Sequence, residues 1–435
     1  MAGGEDYQAL HEALLDAHSQ GGWHHRSQSR ATSTTAGPAT PTPTRRPTPT
    51  RTYRQYRNKP LLQQSSRAGL SLNKFVKHMI KRFAGPARCT MGISSRGNLS
   101  DWWRAVVNEL NKCQSPAERK AIQQDWSDHG PDIVYFKLFN NCNAKCNICD
   151  CWTLPRTETS AEHYKGVLNA TLVRAPKRIR FTGGEPLLSP VLPELVGMAS
   201  SAGAVVSVIT NGRLLGTKAQ QLANHGCAEI VLSLDAVGDT HDLLRGTPRL
   251  FELTLRGIVT VSETPLALGV NTVVQRGGVR SLYQLADLLL SQPRVPSWWQ
   301  LIPVRDRPHL LPTEEDQSWL TETISNLRRT MASEGVQVIA DARMFDPAKQ
   351  SRCSVPQFAI YVDAETGDVF GCNMLAYADS PIGNILHASL ESVWHSREAL
   401  RVRSECAESI HQSCARCDPA SRAMNYWLAN RRPKE

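Results

Sequence analysis

The chain has 435 residues, with 50 Lys plus Arg against 40 Asp plus Glu, a formal charge of +10 and a pI near 9.1. At roughly 100–200 residues per domain this length allows two or three domains. A composition of 41% hydrophobic and 21% charged residues, with no apolar run approaching the ~20 residues a spanning helix needs, excludes a membrane protein. Glu5, Asp6, Glu12 and Asp16 stand where a secretory signal requires a cationic head and an apolar stretch, so a soluble cytoplasmic protein is expected.

The first segment, 1–100, is a basic arm. Residues 1–130 hold 19 basic and 9 acidic side chains, whereas 131–435 hold 31 of each, so the whole charge excess lies at this end. Between Asp16 and Asp101 there are 15 Lys or Arg and no carboxylate, and 31–57 is the low-complexity run ATSTTAGPATPTPTRRPTPTRTYRQYR. Too little apolar content to bury predicts disorder here. The arm reads as a solvated tail, as a contact for an acidic partner such as nucleic acid, or as translated sequence upstream of a start at Met79 or Met91. Within it, LSLNKFVKHMIKRF at 70–83 has the spacing of a surface-seeking helix. Residues 101–130 read as a helical lead-in.

From 131 onward, apolar β-branched runs alternate with helical stretches. DIVYFKLF at 132–139, RIRFT at 178–182, AVVSVIT at 204–210, EIVLSLD at 229–235, LALGVNTVV at 266–274 and WWQLIPV at 298–304 predict buried strands. KAQQLANHG at 218–226 and SLYQLADLLLS at 281–291 predict helices between them. Repeated units of this length imply a parallel sheet covered by helices, open or rolled into a barrel, with functional residues at the C-terminal ends of the strands.

The twelve cysteines point to metal or redox chemistry, since a long α/β chain is unlike a short disulfide scaffold. Cys142, Cys146 and Cys149 form C-x3-C-x2-C directly after the first strand. A zinc site prefers four ligands, and Cys151 is too near in register to Cys149 to close well around one ion. Three thiolates on a four-iron cluster leave one iron open to a substrate or cosubstrate.

This triplet, followed by TGGEP at 182–186, resembles the radical S-adenosylmethionine (SAM) enzymes, as do ITNG at 209–212, SLDA at 233–236 and HDLLRG at 241–246. The likeness spans about 132–310 and implies a partial (β/α)6 TIM-like barrel. It implies that Cys142, Cys146 and Cys149 hold a [4Fe-4S] cluster that binds SAM at its open iron. Reductive cleavage would then give a 5′-deoxyadenosyl radical that takes hydrogen from a substrate. Gly183, Gly184, Glu185 and Pro186 are implied to contact the cosubstrate, the glycines by letting the backbone approach closely and Glu185 as an acceptor. Asn211, Ser233, Asp235, Arg245 and Asn271 are further candidates, although Asp and Asn at strand ends also serve as caps and turns. Where the family commonly has an aromatic residue before the last cluster cysteine, this chain has Ile148.

A linking helix is expected within 311–345, over 316–334 with Glu314, Glu315 and Asp316 capping it, and a small domain over 346–435. QFAIYVDAETGDVFGC reads as two short strands around a turn. Cys353-x13-Gly367-x4-Cys372, PIGNILHASLESVW at 381–394 and the pair Cys414 and Cys417 resemble a SPASM domain of the shorter twitch type. That implies one auxiliary [4Fe-4S] cluster on Cys353, Cys372, Cys414 and Cys417, saturated and suited to electron relay. Zinc is the alternative for these four, and Cys406 is a replacement ligand. Cys89, Cys113, Cys151 and Cys227 read as packing thiols, any one also a candidate hydrogen donor.

The implied activity is radical oxidation or epimerisation of a sugar- or aminocyclitol-like precursor, or alternatively modification of a peptide or protein side chain. An external electron donor such as a flavodoxin or ferredoxin is implied, with no membrane partner and with nucleic acid reached only through the arm.

Overall fold

The structure is a computed structural model that describes residues 116–156, 158–341, 344–345, 352–376, 378–409, 417 and 421. The basic arm, the first half of the lead-in (101–115) and Cys414 lie outside the described residues.

Six strands follow the expected runs: β1 (Ile133–Lys137), β2 (Arg178–Thr182), β3 (Val205–Thr210), β4 (Cys227–Ser233), β5 (Ala267–Val274) and β6 (Trp298–Pro303). Each pairs in parallel with the next. Returning the chain to the start of each strand requires a crossover. Helices supply it: α2 (Ala161–Leu172), α3 (Leu192–Ser201), α4 (Leu215–Asn224), α5 (Asp239–Leu244) with α6 (Leu250–Ser262), and α7 (Leu282–Leu290), after an initial α1 (Pro116–His129). Helix α4 ends at Asn224, and Gly226, the last residue of the expected helical run, takes φ +86°, a left-handed stop.

Helix α8 (Glu314–Ser333) begins two residues before its expected start. Thr313 Oγ caps the Asp316 amide, so Glu314, Glu315 and Asp316 form the first helical turn, where their charges suit the helix dipole. Strand β7 (Gln337–Ile339) then extends the sheet beyond β6.

The C-terminal hairpin does not stand apart from this sheet. Strand β8 (Ala359–Asp363) pairs in parallel with β1, Ile133 opposite Ala359, and antiparallel with β9 (Asp368–Phe370), which β10 (Gly383–Asn384) follows. The result is one ten-stranded open sheet in the order β10-β9-β8-β1-β2-β3-β4-β5-β6-β7. A salt bridge fastens the junction: Lys137 Nζ, buried at the end of β1, lies 2.8 Å from Asp363 Oδ2 and 3.5 Å from Glu365 Oε2. Farther out, α9 (Leu390–Trp394) and α10 (Arg397–Glu408) are tied to α1, because Trp394 donates its indole N–H to Ser127 O (2.7 Å) and the Arg403 guanidinium stacks on its ring at 3.7 Å.

The sheet curls so that its strand exits converge. After β6, Arg307 pairs with Asp150 beyond the cysteine triplet, and Arg305 reaches Met374 beyond Cys372. Parallel register gives the two faces of the sheet different character. One face packs Phe136, Phe181, Val208, Ile230 and Leu268 into the core. The other carries Arg180, Ser207 and Glu229 in register, with Arg180 Nε donating to Ser207 Oγ (3.2 Å) and Trp298 Nε1 to Glu229 Oε1 (2.7 Å).

Candidate functional site

The cysteine loop after β1 is clamped by the turn after β2 and by the C-terminal end of α5. On one flank, Gly184 N–H donates to Phe139 O (2.7 Å) and Glu185 N–H to Asn141 O (2.8 Å), laying the turn after β2 on the start of the loop. A Cβ at Gly184 would lie 2.1 Å from Asn141 O, and Gly183 takes φ +130° with its Cβ position 2.6 Å from Phe139 O. The two glycines thus permit close approach to the chain's own cysteine loop; the sequence suggested approach to a ligand. On the other flank, Lys145 N–H donates to Arg245 O (3.1 Å) and Asn147 N–H to Leu244 O (3.3 Å). Gly246, at φ +56°, allows that contact, since a Cβ there would be 2.2 Å from Lys145 O.

Glu185 is fully buried and both of its oxygens are engaged by protein. Oε1 accepts from Leu187 N–H (3.0 Å) and Thr210 Oγ1 (2.8 Å), and Oε2 accepts from Asn211 N–H (2.8 Å). It brackets the exits of β2 and β3, and burial pushes its carboxyl up to about 7 despite these donors. Pro186 is buried at the start of the short turn Pro186–Leu188.

Several donors face the sulfurs. Cys142 Sγ accepts from Ala144 N–H (3.5 Å) and has Asn211 Nδ2 at 4.0 Å; Cys149 Sγ accepts from Cys151 N–H (3.4 Å); Arg245 Nη1 lies 3.9 Å from Cys146 Sγ. Burial pushes the Cys142 thiol up to about 11 and raises that of Cys146, whereas a side-chain hydrogen bond from Cys151 is the leading cause holding Cys149 down at about 6. Arg245 is itself fixed by Asp235, with Nε–Oδ2 at 2.7 Å and Nη2–Oδ1 at 2.8 Å, both side chains buried. Asp235 Oδ1 also accepts from Val273 N–H (2.8 Å), and its amide donates to Nδ1 of His241 (3.2 Å), which burial keeps neutral. The chain Val273–Asp235–Arg245–Cys146 therefore couples the exits of β5, β4 and β1.

Ser233 and Asn271 are register partners at the ends of β4 and β5, and Gln300 of β6 continues the row. Asn271 Oδ1 is buried without a hydrogen-bond partner, which suits a site whose ligand supplies a donor. No described hydrogen bond joins Ser233 or Asn271 to the cysteines, so this row forms a wall separate from the clamp. The sequence did not single out Gln300, although it is the one polar residue in WWQLIPV. Lys137 and Asn143 were also missed; Asn143 Oδ1 accepts from Asn211 Nδ2 (2.8 Å).

The donor set fits the iron-sulfur cluster that the motif implies. Among the described residues no group of three His, Cys, Asp or Glu is arranged for a single metal ion. A cluster spreads its thiolates more widely than a tetrahedral ion does, and amide and guanidinium donors aimed at sulfur stabilise thiolates. Beside Cys142 opens a cavity of about 670 Å³ lined by Phe139, Tyr164, Leu188 and Val191, with Arg156 and Glu158 contributing one charge of each sign.

The described C-terminal cysteines are sealed: Cys353, Cys372, Cys406 and Cys417 are each 3–4% exposed. Cys372 Sγ accepts from Met374 N–H (3.3 Å), repeating the two-residue pattern of Cys142 and Cys149. Cys353 N–H donates to Cys406 O (2.6 Å), bringing Cys406 alongside. Cys227, as expected, is a packing thiol that donates to Glu229 O (3.4 Å). Cys89 and Cys113 lie outside the described residues.

Comparison with known proteins agrees with this geometry. Residues 136–279 match the family model of the radical SAM superfamily, and 353–418 match that of SPASM, an iron-sulfur cluster-binding domain. The chain is 29% identical over 168 residues to an Fe-coproporphyrin III synthase of Methanosarcina barkeri, a match covering 38% of this chain and 42% of that protein. It is 26% identical over 281 residues to a PqqA peptide cyclase of Streptomyces rochei, covering 61% of this chain and 76% of the cyclase. In fold it is similar to Streptococcus suis SuiB bound to S-adenosylmethionine, with a TM-score of 0.55 at 12% identity over 78% of this chain and 79% of SuiB.

Proposed function

Given that the chain belongs to the radical SAM superfamily and carries a SPASM domain, with the [4Fe-4S] clusters and SAM these imply, we propose that this enzyme modifies a side chain of a peptide substrate. The observation that carries the reading is the cavity beside Cys142, mostly apolar and with charges that cancel. A tetrapyrrole with several propionates needs a cationic lining, which Arg156 balanced by Glu158 does not give. An aliphatic or aromatic side chain suits the apolar walls, and Asn141, Asn143, Thr159, Ser160 and Ser189 offer partners to the amides beside it. The relation to a peptide cyclase supports the same choice. A sugar-like substrate, the first expectation from the sequence, has no support among the relatives described.

In this reading Cys142, Cys146 and Cys149 hold the catalytic cluster. The bound cluster and SAM supply reductive cleavage of the sulfonium and hydrogen abstraction from an unactivated C–H. The protein's contribution is geometric and electrostatic. Arg245, held by Asp235, places positive charge beside Cys146, and Asn211 is a donor near Cys142. Ser233 and Asn271 offer polar atoms to the cosubstrate from the strand ends. Glu185 acts as a bracket between β2 and β3, since its oxygens already serve protein donors. Electrons would come from an external flavodoxin or ferredoxin, and Cys353, Cys372, Cys414 and Cys417 would hold an auxiliary cluster.

The test is 5′-deoxyadenosine formation by anaerobically reconstituted enzyme with reductant and SAM, comparing a mixed peptide library with iron coproporphyrin III and with aminocyclitols. Stimulation by peptides alone is expected. Stimulation by the porphyrin or the aminocyclitols and not by peptides overturns the reading.

A further inference from the structure

Two arginines leave strand β6 on either side of Asp306, and their surroundings differ. Arg307 forms an ion pair with Asp150, the residue after Cys149. Arg305 reaches the other cysteine region: its Nη1 lies 2.7 Å from Sδ of Met374, whose amide donates to Cys372 Sγ (3.3 Å). Asp306 between them takes φ +54°, a left-handed conformation that a residue with a Cβ adopts at a cost and that turns the chain from one arginine to the next. The exit of β6 therefore spans from the first cysteine loop to the second cysteine set.

Among the described residues Arg305 has no counter-ion. It is half-buried against Met374, which is 5% exposed, and no described carboxylate lies within ion-pair distance of its guanidinium. By contrast, Lys137 has Asp363 and Glu365, Arg245 has Asp235, and Arg307 has Asp150. A thioether is a weak, uncharged acceptor, so it does not compensate a partly desolvated guanidinium. The planar fork of an arginine matches a carboxylate bidentately, and a carboxylate bound at this exit would balance the charge.

We propose that Arg305 is a specificity-determining residue that binds a carboxylate of the peptide substrate, from an acidic side chain or from the C-terminus. The inference rests on the peptide reading above and adds a second anchor to it. The apolar cavity beside Cys142 receives the side chain that reacts, and Arg305 holds an anionic group of the same peptide. One guanidinium serves one carboxylate, which suits a peptide and falls short of the several propionates of a tetrapyrrole. Because Arg305 touches Met374, the anchor also brings the bound peptide alongside the second cysteine set.

The experiment measures peptide-dependent 5′-deoxyadenosine formation by full-length, reconstituted wild type, Arg305→Met and Arg305→Glu on pools of random octapeptides, with iron content in parallel. The pools combine Asp and Glu, or Asn and Gln in their place, with a free or an amidated C-terminus. At low peptide concentration wild type should favour pools that hold a carboxylate over the pool with none by roughly ten- to a hundredfold, the range of a hydrogen bond to a charged group. The preferred pool then tells a side-chain carboxylate from a C-terminal one. Arg305→Met should keep wild-type iron and lose the discrimination through a higher KM, not a lower kcat, and Arg305→Glu should turn against the carboxylate pools. Equal rates on every pool by wild type, or unchanged discrimination in Arg305→Met, remove the proposal. A loss of about four irons in Arg305→Met does so too, since the arginine would then support the second cysteine set. If no pool stimulates wild type while iron coproporphyrin III does, the peptide reading fails and this inference with it.

Discussion

Cys142 and Cys149 are half-buried on a loop held by the turn after β2 and by the C-terminal end of α5, whereas Cys353, Cys372, Cys406 and Cys417 are all buried. Both regions use the same local device, an amide two residues ahead donating to a sulfur. They differ in access and in charge. The first has a cavity opening on Cys142 and a buried guanidinium beside Cys146. A cluster that must bind a cosubstrate needs an open side and a cation to balance its ligands, while one that stores or relays an electron is better enclosed.

The largest effect should come from dismantling one region at a time. Alanine at Cys142, Cys146 and Cys149 together should remove about four irons of about eight and abolish SAM cleavage. Alanine at Cys353 and Cys372 should remove the other four while cleavage without substrate persists. Iron analysis with 5′-deoxyadenosine assay reads both. If the second variant loses cleavage while keeping its catalytic iron, the two regions are not separable in function.

The clamp can be attacked without touching a sulfur. In Gly184→Ala the new methyl would meet Asn141 O at 2.1 Å and Asn140 O at 2.5 Å, so the start of the cysteine loop must move. A displacement of about 1 Å at a reacting centre costs on the order of 10²-fold in rate. SAM cleavage by the reconstituted variant should fall by about that factor, with the C-terminal iron retained. Wild-type cleavage would show that the loop absorbs the methyl and that the close approach is incidental.

Asp235→Asn tests the cation. Removing one partner of a buried ion pair leaves an uncompensated charge and costs about 3–5 kcal/mol. Asp235 is 1% exposed and Arg245 7% exposed, so denaturant unfolding of the variant should show a loss of that size. The corresponding exposed pair, Arg249 with Glu252, is screened by solvent and should contribute far less. Equal losses in Glu252→Gln and Asp235→Asn would contradict the burial argument.

The difference between the two regions was only partly legible in the sequence. Strands β1 to β6 were visible because each is a short apolar run bounded by turn residues, and the cysteine triplet and TGGEP stood at their ends. The attachment of β8 to β1 was not visible, since it pairs residues 226 positions apart through Lys137 and Asp363 and no local pattern encodes it. Gly183 and Gly184 were read as letting the backbone approach a ligand, whereas the close approach they make is to carbonyls of the same chain, a fact of tertiary packing. Gln300 carried a readable signal, one polar residue in an apolar strand.

Glu185 and Asp363 give the smallest and sharpest contrast, two buried carboxylates at strand exits, one served by neutral donors and the other by Lys137. For Glu185 burial raises the folded pKa to about 7 from an ordinary 4.5. The folded protein therefore binds this proton more tightly than the unfolded chain does. Stability is greatest below the unfolded pKa, falls as pH rises through the window from about 4.5 to 7, and is flat above it. The full fall is on the order of 3–4 kcal/mol, from about 1.4 kcal/mol per pKa unit. Gln at this position cannot titrate, and it resembles the protonated acid in shape. Thermal unfolding of the metal-free protein should accordingly show Glu185→Gln gaining on wild type by about that amount between pH 4 and pH 8, on top of a pH-independent offset from its amide facing the Asn211 N–H. Parallel profiles for the two proteins across that range would mean that the three donors, not burial, set the charge of Glu185, and that the bracket between β2 and β3 is ionised throughout.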